Sequence, residues 1–152
     1  MTAKVLLVDD DREVREALGQ TLELADLAPI LAGSYLAAKD HISPRFDGVI
    51  VTDIRMPGRD GFHLLERARE IDAELPVILL TGEGDIPMAV RAMEQGAHGF
   101  LEKPCDPKAL VATVRQALDL RAEVLAQRRA HAASVTGDAA ARMLVGRSAQ
   151  AE

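Results

Sequence analysis

Five short aliphatic runs recur along the chain, each ending abruptly on polar residues and each followed by a stretch with its own spacing of apolar positions. Lys4-Val-Leu-Leu-Val8 ends on Asp9-Asp10-Asp11; Val14, Ala17, Leu18, Thr21, Leu22 and Ala25 then mark one face of a first helix. Asp10 and Glu13 have capping-box spacing for its start. Pro29-Ile-Leu-Ala32 predicts a short second strand, and Ser34 a cap for a second helix running to about Ile42. The third run, Gly48 to Asp53, carries aliphatic residues at 49–51 without polar alternation, as in a strand covered on both faces, and the Pro57-Gly58 turn forbids its continuation. Behind Asp60-Gly61, the residues Phe62, Leu65, Ala68 and Ile71 mark a third helix, and Pro76 to Thr81 a fourth strand. Asp85 and Pro87 open a fourth helix with Ile86, Ala89, Val90 and Met93 on one face and a stop at Gly96. Gly99-Phe-Leu101 is a fifth strand, and Asp106 and Pro107 begin a last helix.

Strands alternating with helices imply parallel strands joined by right-handed crossovers, with every strand end on one edge. The expected fold is α/β: a flavodoxin-like, doubly wound, five-stranded parallel sheet of order 2-1-3-4-5, with an extended C-terminal helix. That order sets strands one and three side by side, so Asp9, Asp10 and Asp53 meet beyond their ends. Thr81 and Lys103 arrive from strands four and five. Three clustered carboxylates repel unless some are protonated or a cation sits among them, and a hard ion such as Mg²⁺ suits their oxygens. The set fits phosphoryl transfer, with Asp53 as nucleophile, Mg²⁺ and Lys103 neutralising the transferring oxygens, and the Thr81 hydroxyl as a donor. Lys103-Pro104 is a place where a cis peptide would aim the ammonium inward, although trans is the commoner state of such bonds.

Bulk properties narrow the choice. A chain of 152 residues holds one domain with a full core plus a tail, and its aliphatic composition suits a sheet wrapped in helices. A net charge of -6 argues against this segment holding nucleic acid or an anionic membrane by itself. Cys105, the single cysteine, has no internal disulfide partner and reads as a packed small side chain. His41, His63 and His98 show no metal-site spacing and read as surface residues. Without a charged-then-apolar leader or a span of roughly 20 apolar residues, a cytoplasmic location is expected.

Val8-Asp9-Asp10, Asp53-Ile-Arg-Met-Pro-Gly58, Thr81-Gly82 and Lys103-Pro104, in this order, resemble the receiver domain of two-component response regulators over about residues 4–120. The resemblance implies that Asp53 accepts a phosphoryl group from a histidine kinase. It implies that Asp10, Asp53 and the backbone carbonyl of Arg55 hold Mg²⁺, that Asp9 acts mainly through water, and that Lys103 contacts the phosphoryl group. Thr81 and Phe100 become the switch pair, Phe100 standing where many members have Tyr. A receiver of this kind is no conventional enzyme, since it catalyses its own phosphorylation and dephosphorylation. Thr81-Gly-Glu-Gly-Asp-Ile-Pro-Met-Ala-Val90 and Gln20-Thr-Leu-Glu-Leu-Ala25 are similar to regulators of bacterial dicarboxylate transport, which are sigma-54-dependent activators joining a receiver to an ATPase and a DNA-binding domain. Leu144-Val-Gly-Arg-Ser148 resembles the start of that ATPase, so the chain is expected to be an N-terminal fragment. Sigma-54 RNA polymerase, ATP and DNA would be met only through domains absent from it.

The expected organisation is a receiver at 1–120, a linker helix at 121–133 continuing the last receiver helix, and a flexible tail at 134–152. Leu110, Val111, Val114 and Leu118 form the stripe that docks on the sheet, while helix-forming residues continue to about Ala132 and project past the domain. A second stripe, Leu110, Ala117, Leu120, Val124, Gln127 and His131, has seven-residue logic and suits a homodimer that phosphorylation rearranges. Two other functions stay open: a free-standing receiver acting as a phosphorylation-gated binding module, and a small-molecule phosphatase. The phosphatase ranks last because Ile54-Arg55 offers no general acid beside Asp53.

Overall fold

The computed structural model describes the backbone of residues 3–145 and the side chains of residues 3–132. The elements follow in strict alternation: β1 (Lys4–Val8), α1 (Arg12–Leu24), β2 (Ala28–Ala32), α2 (Tyr35–Lys39), β3 (Gly48–Asp53), α3 (Gly61–Ile71), β4 (Val77–Thr81), α4 (Ile86–Glu94), β5 (Gly99–Glu102) and α5 (Pro107–Val145). All strands are parallel, in the order β2-β1-β3-β4-β5. Successive side chains of a strand point to opposite faces, which sorts the aliphatic runs into two cores. Leu6, Val8, Ile50 and Leu79 meet Ala38, Leu64, Leu65, Ala68, Ala89 and Ala92 from α2, α3 and α4. Val5, Leu7, Val49, Val51, Ile78 and Leu80 meet Leu22, Leu110, Val114, Ala117 and Leu118 from α1 and α5. Every residue of β3 is buried, as its unalternating sequence requires.

Two glycines bracket that central strand. A Cβ on Gly48 would collide with the Lys4 carbonyl of β1, and one on Gly61 would lie 2.5 Å from the Asp53 carbonyl oxygen. The second contact is what lets α3 begin directly beneath the end of β3.

Several local expectations are corrected. Asp11, not Asp10, caps α1: its Oδ1 accepts from the amides of Glu13 (3.0 Å) and Val14 (3.3 Å). Ser34 does cap α2, with Oγ accepting from the Ala37 amide at 3.1 Å, but the helix stops at Lys39 and buried Ile42 lies beyond it. In α1, Ala17 is exposed while Gly19 is buried against Leu31. The inward face of α4 is turned toward Ala89 and Ala92, leaving Val90 49% and Met93 39% exposed. Small side chains there let the helix axis approach the sheet closely.

The last helix departs most. Ala117 is fully buried and belongs to the docking face, not to an outward stripe, and the helix runs to Val145 rather than ending near Ala132, so residues 134–145 of the expected tail are helical. Residues 146–152, which include most of the Leu144–Ser148 motif, lie outside the described residues. The helix past residue 120 is fastened to the body. Arg121, 1% exposed, donates from Nε to the Phe46 carbonyl (2.9 Å), from Nη1 to Asp72 Oδ2 (2.9 Å) and from Nη2 to the Pro44 carbonyl (3.1 Å). Two turns later, Arg128 grips both oxygens of Asp72 at 2.7 and 2.8 Å and Glu74 at 2.9 Å. This clasp closes over the segments that lead into β3 and β4, at the edge opposite the strand ends.

Candidate functional site

Each predicted site residue except Phe100 stands at the C-terminal edge of the sheet. Asp9 follows β1 and is fully buried, with its Oδ1 accepting from the Asp11 amide at 2.9 Å. Its backbone is fixed as well, since Arg15 Nη1 donates to the Asp9 carbonyl at 2.7 Å. Asp10, relieved of capping duty by Asp11, is exposed and its carboxylate has no partner among the described residues. Asp53 closes β3 and is 7% exposed; its Oδ1 accepts from the Arg55 amide at 3.2 Å.

Lys103 follows β5 and bridges the two strand ends, donating to Asp53 Oδ2 at 2.8 Å and to Asp9 Oδ2 at 3.1 Å. The Lys103-Pro104 peptide is cis, and the Lys103 amide donates to the Thr81 carbonyl at 2.7 Å. Thr81 ends β4 one residue beyond the partner of Asp53, which is Leu80. Its Oγ1 is fully buried and has no hydrogen-bond partner among the described residues. Phe100, on β5, is partly buried and packs against the core shared by α2, α3 and α4.

The electrostatics follow from this crowding. Burial pushes the Asp53 carboxyl above its usual range, assisted by the charge on Asp9, and the hydrogen bond and charge of Lys103 only partly oppose it. For Lys103 burial works downward, yet its bonds to Asp53 and Asp9 win and raise it above an ordinary lysine. Carboxylate oxygens of Asp9, Asp10 and Asp53 lie within 4.8 Å of one another, against a single ammonium. Hard oxygen donors at that separation, one of them facing solvent without a partner, fit a divalent cation. An open depression of about 360 Å³, lined by Asp10, Arg55, Met56, Asp60 and Met88, borders the cluster on its solvent side.

One contact at this edge escaped the sequence. Asp85 occupies the N-cap position of α4 but makes no capping hydrogen bond. Instead its buried carboxylate takes the Arg55 guanidinium, with Nε 2.9 Å from both oxygens and Nη2 2.9 Å from Oδ1. An Asp before a helix reads by default as a cap, so only the fold, which brings residues 55 and 85 together, reveals the pair. The predicted role of Arg55 rested on its backbone, and its side chain had none.

Comparison with known proteins agrees with this geometry. Residues 5–115 match the response regulator receiver domain. The chain is 47% identical over 146 residues to the C4-dicarboxylate transport transcriptional regulatory protein DctD of Pseudomonas aeruginosa, covering 96% of this chain and 32% of that one. It is 44% identical over 124 residues to DctD of Rhizobium meliloti, covering 82% and 27%. The chain thus spans about a third or less of the length of these relatives. A response regulator receiver domain protein from Clostridium thermocellum superposes with a TM-score of 0.76 at 29% identity, covering 81% of this chain and 98% of that structure. The sheet order, the acidic strand ends with their bridging lysine, and these matches together make the chain a member of the response regulator receiver domain family, of the type found in dicarboxylate transport regulators.

Proposed function

We propose that Asp53 is the phosphoacceptor through which a histidine kinase controls this receiver. The observation that carries this is the Thr81 hydroxyl, buried without a partner on the strand beside Asp53. A hydroxyl in that state costs about 1–3 kcal/mol, and a phosphoryl group on the neighbouring carboxylate supplies the strong acceptor it lacks. An oxygen of Asp53 attacks the phosphorus of a phosphohistidine, the P–N bond breaks and the imidazole leaves. Lys103, already on Asp53, neutralises the incoming oxygens. Mg²⁺, held by the Asp10 and Asp53 carboxylates and the Arg55 carbonyl with Asp9 acting through water, would supply the remaining positive charge when bound. Thr81 then turns toward the phosphoryl group and Phe100 follows into the vacated space, which alters the surface of α4, β5 and α5.

We read the domain as cytoplasmic and as lying ahead of a sigma-54-dependent ATPase whose assembly it governs by rearranging a dimer; what supports an attached domain is that the chain covers only 32% and 27% of two relatives named as transcriptional regulatory proteins. No helix among the described residues is long and apolar enough to cross a membrane. A second copy would meet Leu120, 46% exposed, and Val124 on the flank of α5. Acetyl phosphate with Mg²⁺ should add one phosphoryl mass to the protein. Labelling that survives Asp53→Asn, or chelation of the metal, would refute the assignment.

A further inference from the structure

The Arg55–Asp85 pair has no part in the chemistry described so far, yet it joins the loop after Asp53 to the first residue before α4. Two of its features are at odds with a merely structural ion pair. Asp85 stands at the N-cap position of α4, yet its carboxylate makes no capping bond and is held instead by Arg55 and the Gly82 amide, while Pro87 has no N–H to offer and the Met88 amide donates to the Asp85 carbonyl. The guanidinium, for its part, is 67% exposed, sits on the residue whose amide already donates to Asp53 Oδ1, and feels the Asp53 charge. It lies between two anions and is committed to the one that carries no phosphoryl group.

We propose that phosphorylation hands Arg55 from Asp85 to the phosphoryl group on Asp53, and thereby hands Asp85 to the start of α4. This rests on the reading of Asp53 as phosphoacceptor. A phosphoryl group brings nearly two negative charges and three acceptor oxygens to a carboxylate that had one charge. A guanidinium fork matches phosphoryl oxygens as well as it matches a carboxylate, so the competition tips toward Asp53. Asp85, left without its cation in a largely buried position, keeps the Gly82 amide and has the Ile86 amide beside it at the opening of α4, Pro87 carrying no N–H and Met88 donating to the Asp85 carbonyl at 3.0 Å. Its present backbone angles, φ -100° and ψ 9°, are not those of a capping residue, so the exchange requires the loop to change shape. Gly82 and Gly84, the latter at φ 89°, supply the pivot. The exchange links the phosphoryl group to α4 by a route separate from the Thr81 hydroxyl.

The test follows the Arg55 side-chain Nε–H by nitrogen-15 NMR, with acetyl phosphate and Mg²⁺ as phosphodonor and mass spectrometry to confirm labelling. In the wild type this proton should be protected from exchange with water in both states and shift on phosphorylation. In Asp85→Asn it should be unprotected at first and gain protection once Asp53 is labelled. If it stays unprotected on labelled Asp85→Asn, the phosphoryl group does not receive Arg55 and the handover is overturned. If no label appears on Asp53 in either protein, the phosphoacceptor reading fails instead. The second half is read on the amides of Ile86 and Met88. Their phosphorylation-dependent shifts should persist in Asp85→Asn, whose side chain can cap, and be lost in Asp85→Ala, whose side chain cannot; equal shifts in both variants would show that Asp85 does not cap α4.

Discussion

The Thr81 hydroxyl and the Asp72 carboxylate are opposite solutions to burying a polar group. Thr81 is left without a partner, which makes a definite prediction: Thr81→Val, which keeps the shape and removes the oxygen, should raise stability by about 1 kcal/mol in urea titrations. The same variant should accept label on Asp53 yet show diminished shifts around Phe100. Asp72 is saturated instead. Hydrogen bonds from Arg128 hold it well below the usual carboxylate range, against the cost of burial and with help from the Glu74 amide and Arg121. A carboxylate depressed in the folded state contributes its full stability above the unfolded value of about 3.9 and loses it as pH falls below that. The gap in urea midpoint between wild type and Asp72→Asn should therefore be constant above about pH 5 and narrow progressively under pH 4. At neutral pH the gap should correspond to about 3 kcal/mol, because Arg121 would be left buried with only carbonyl partners.

At the scale of elements, what was legible was whatever periodicity reports. Runs without polar alternation, each closed by turn or polar residues, gave all five strands nearly to the residue, since β3 and its neighbours β1 and β4 are covered on both faces. Convergence of Asp9, Asp10, Asp53, Thr81 and Lys103 then followed from parallel topology alone. Helix faces were less legible. In α4 the residues 86, 89, 90 and 93 and the residues 88, 89 and 92 both satisfy helical spacing, and hydrophobicity favoured the larger side chains; close approach to the sheet selected the alanines. In α5 the continuation of the docking face is Arg121 and Arg128, and a charged residue on a helix reads as solvated unless its partners are known. Those partners, Pro44, Phe46 and Asp72, come from loops far away in sequence. Gly61 shows the reverse case of a readable residue with an unreadable reason. Gly61→Ala should destabilise the domain by about 1–3 kcal/mol and shift the Asp53 backbone, because the new methyl group must displace the end of β3.

For the whole molecule, the two edges of the sheet have separate tasks: one gathers the acidic cluster, and the other holds α5 by the arginine clasp. The flank of α5 bearing Leu120 and Val124 is turned by that clasp to the side of the docking face, so the proposed dimer should be sensitive to it. Leu120→Asp should yield a monomer by sedimentation, with labelling of Asp53 unaffected. Arg121 and Arg128 stand seven residues apart, two turns of helix, and together they fix rotation about the helix axis as well as position along it. Past Arg128 the helix is then a protractor whose zero is set by the receiver. Inserting one residue beyond Ala132 turns whatever is attached by about 100°, and inserting seven returns it to within about 20°. Foreign effector domains grafted onto this helix should accordingly respond to the signal, or fail to, with the period of the helix rather than with the length of the joint.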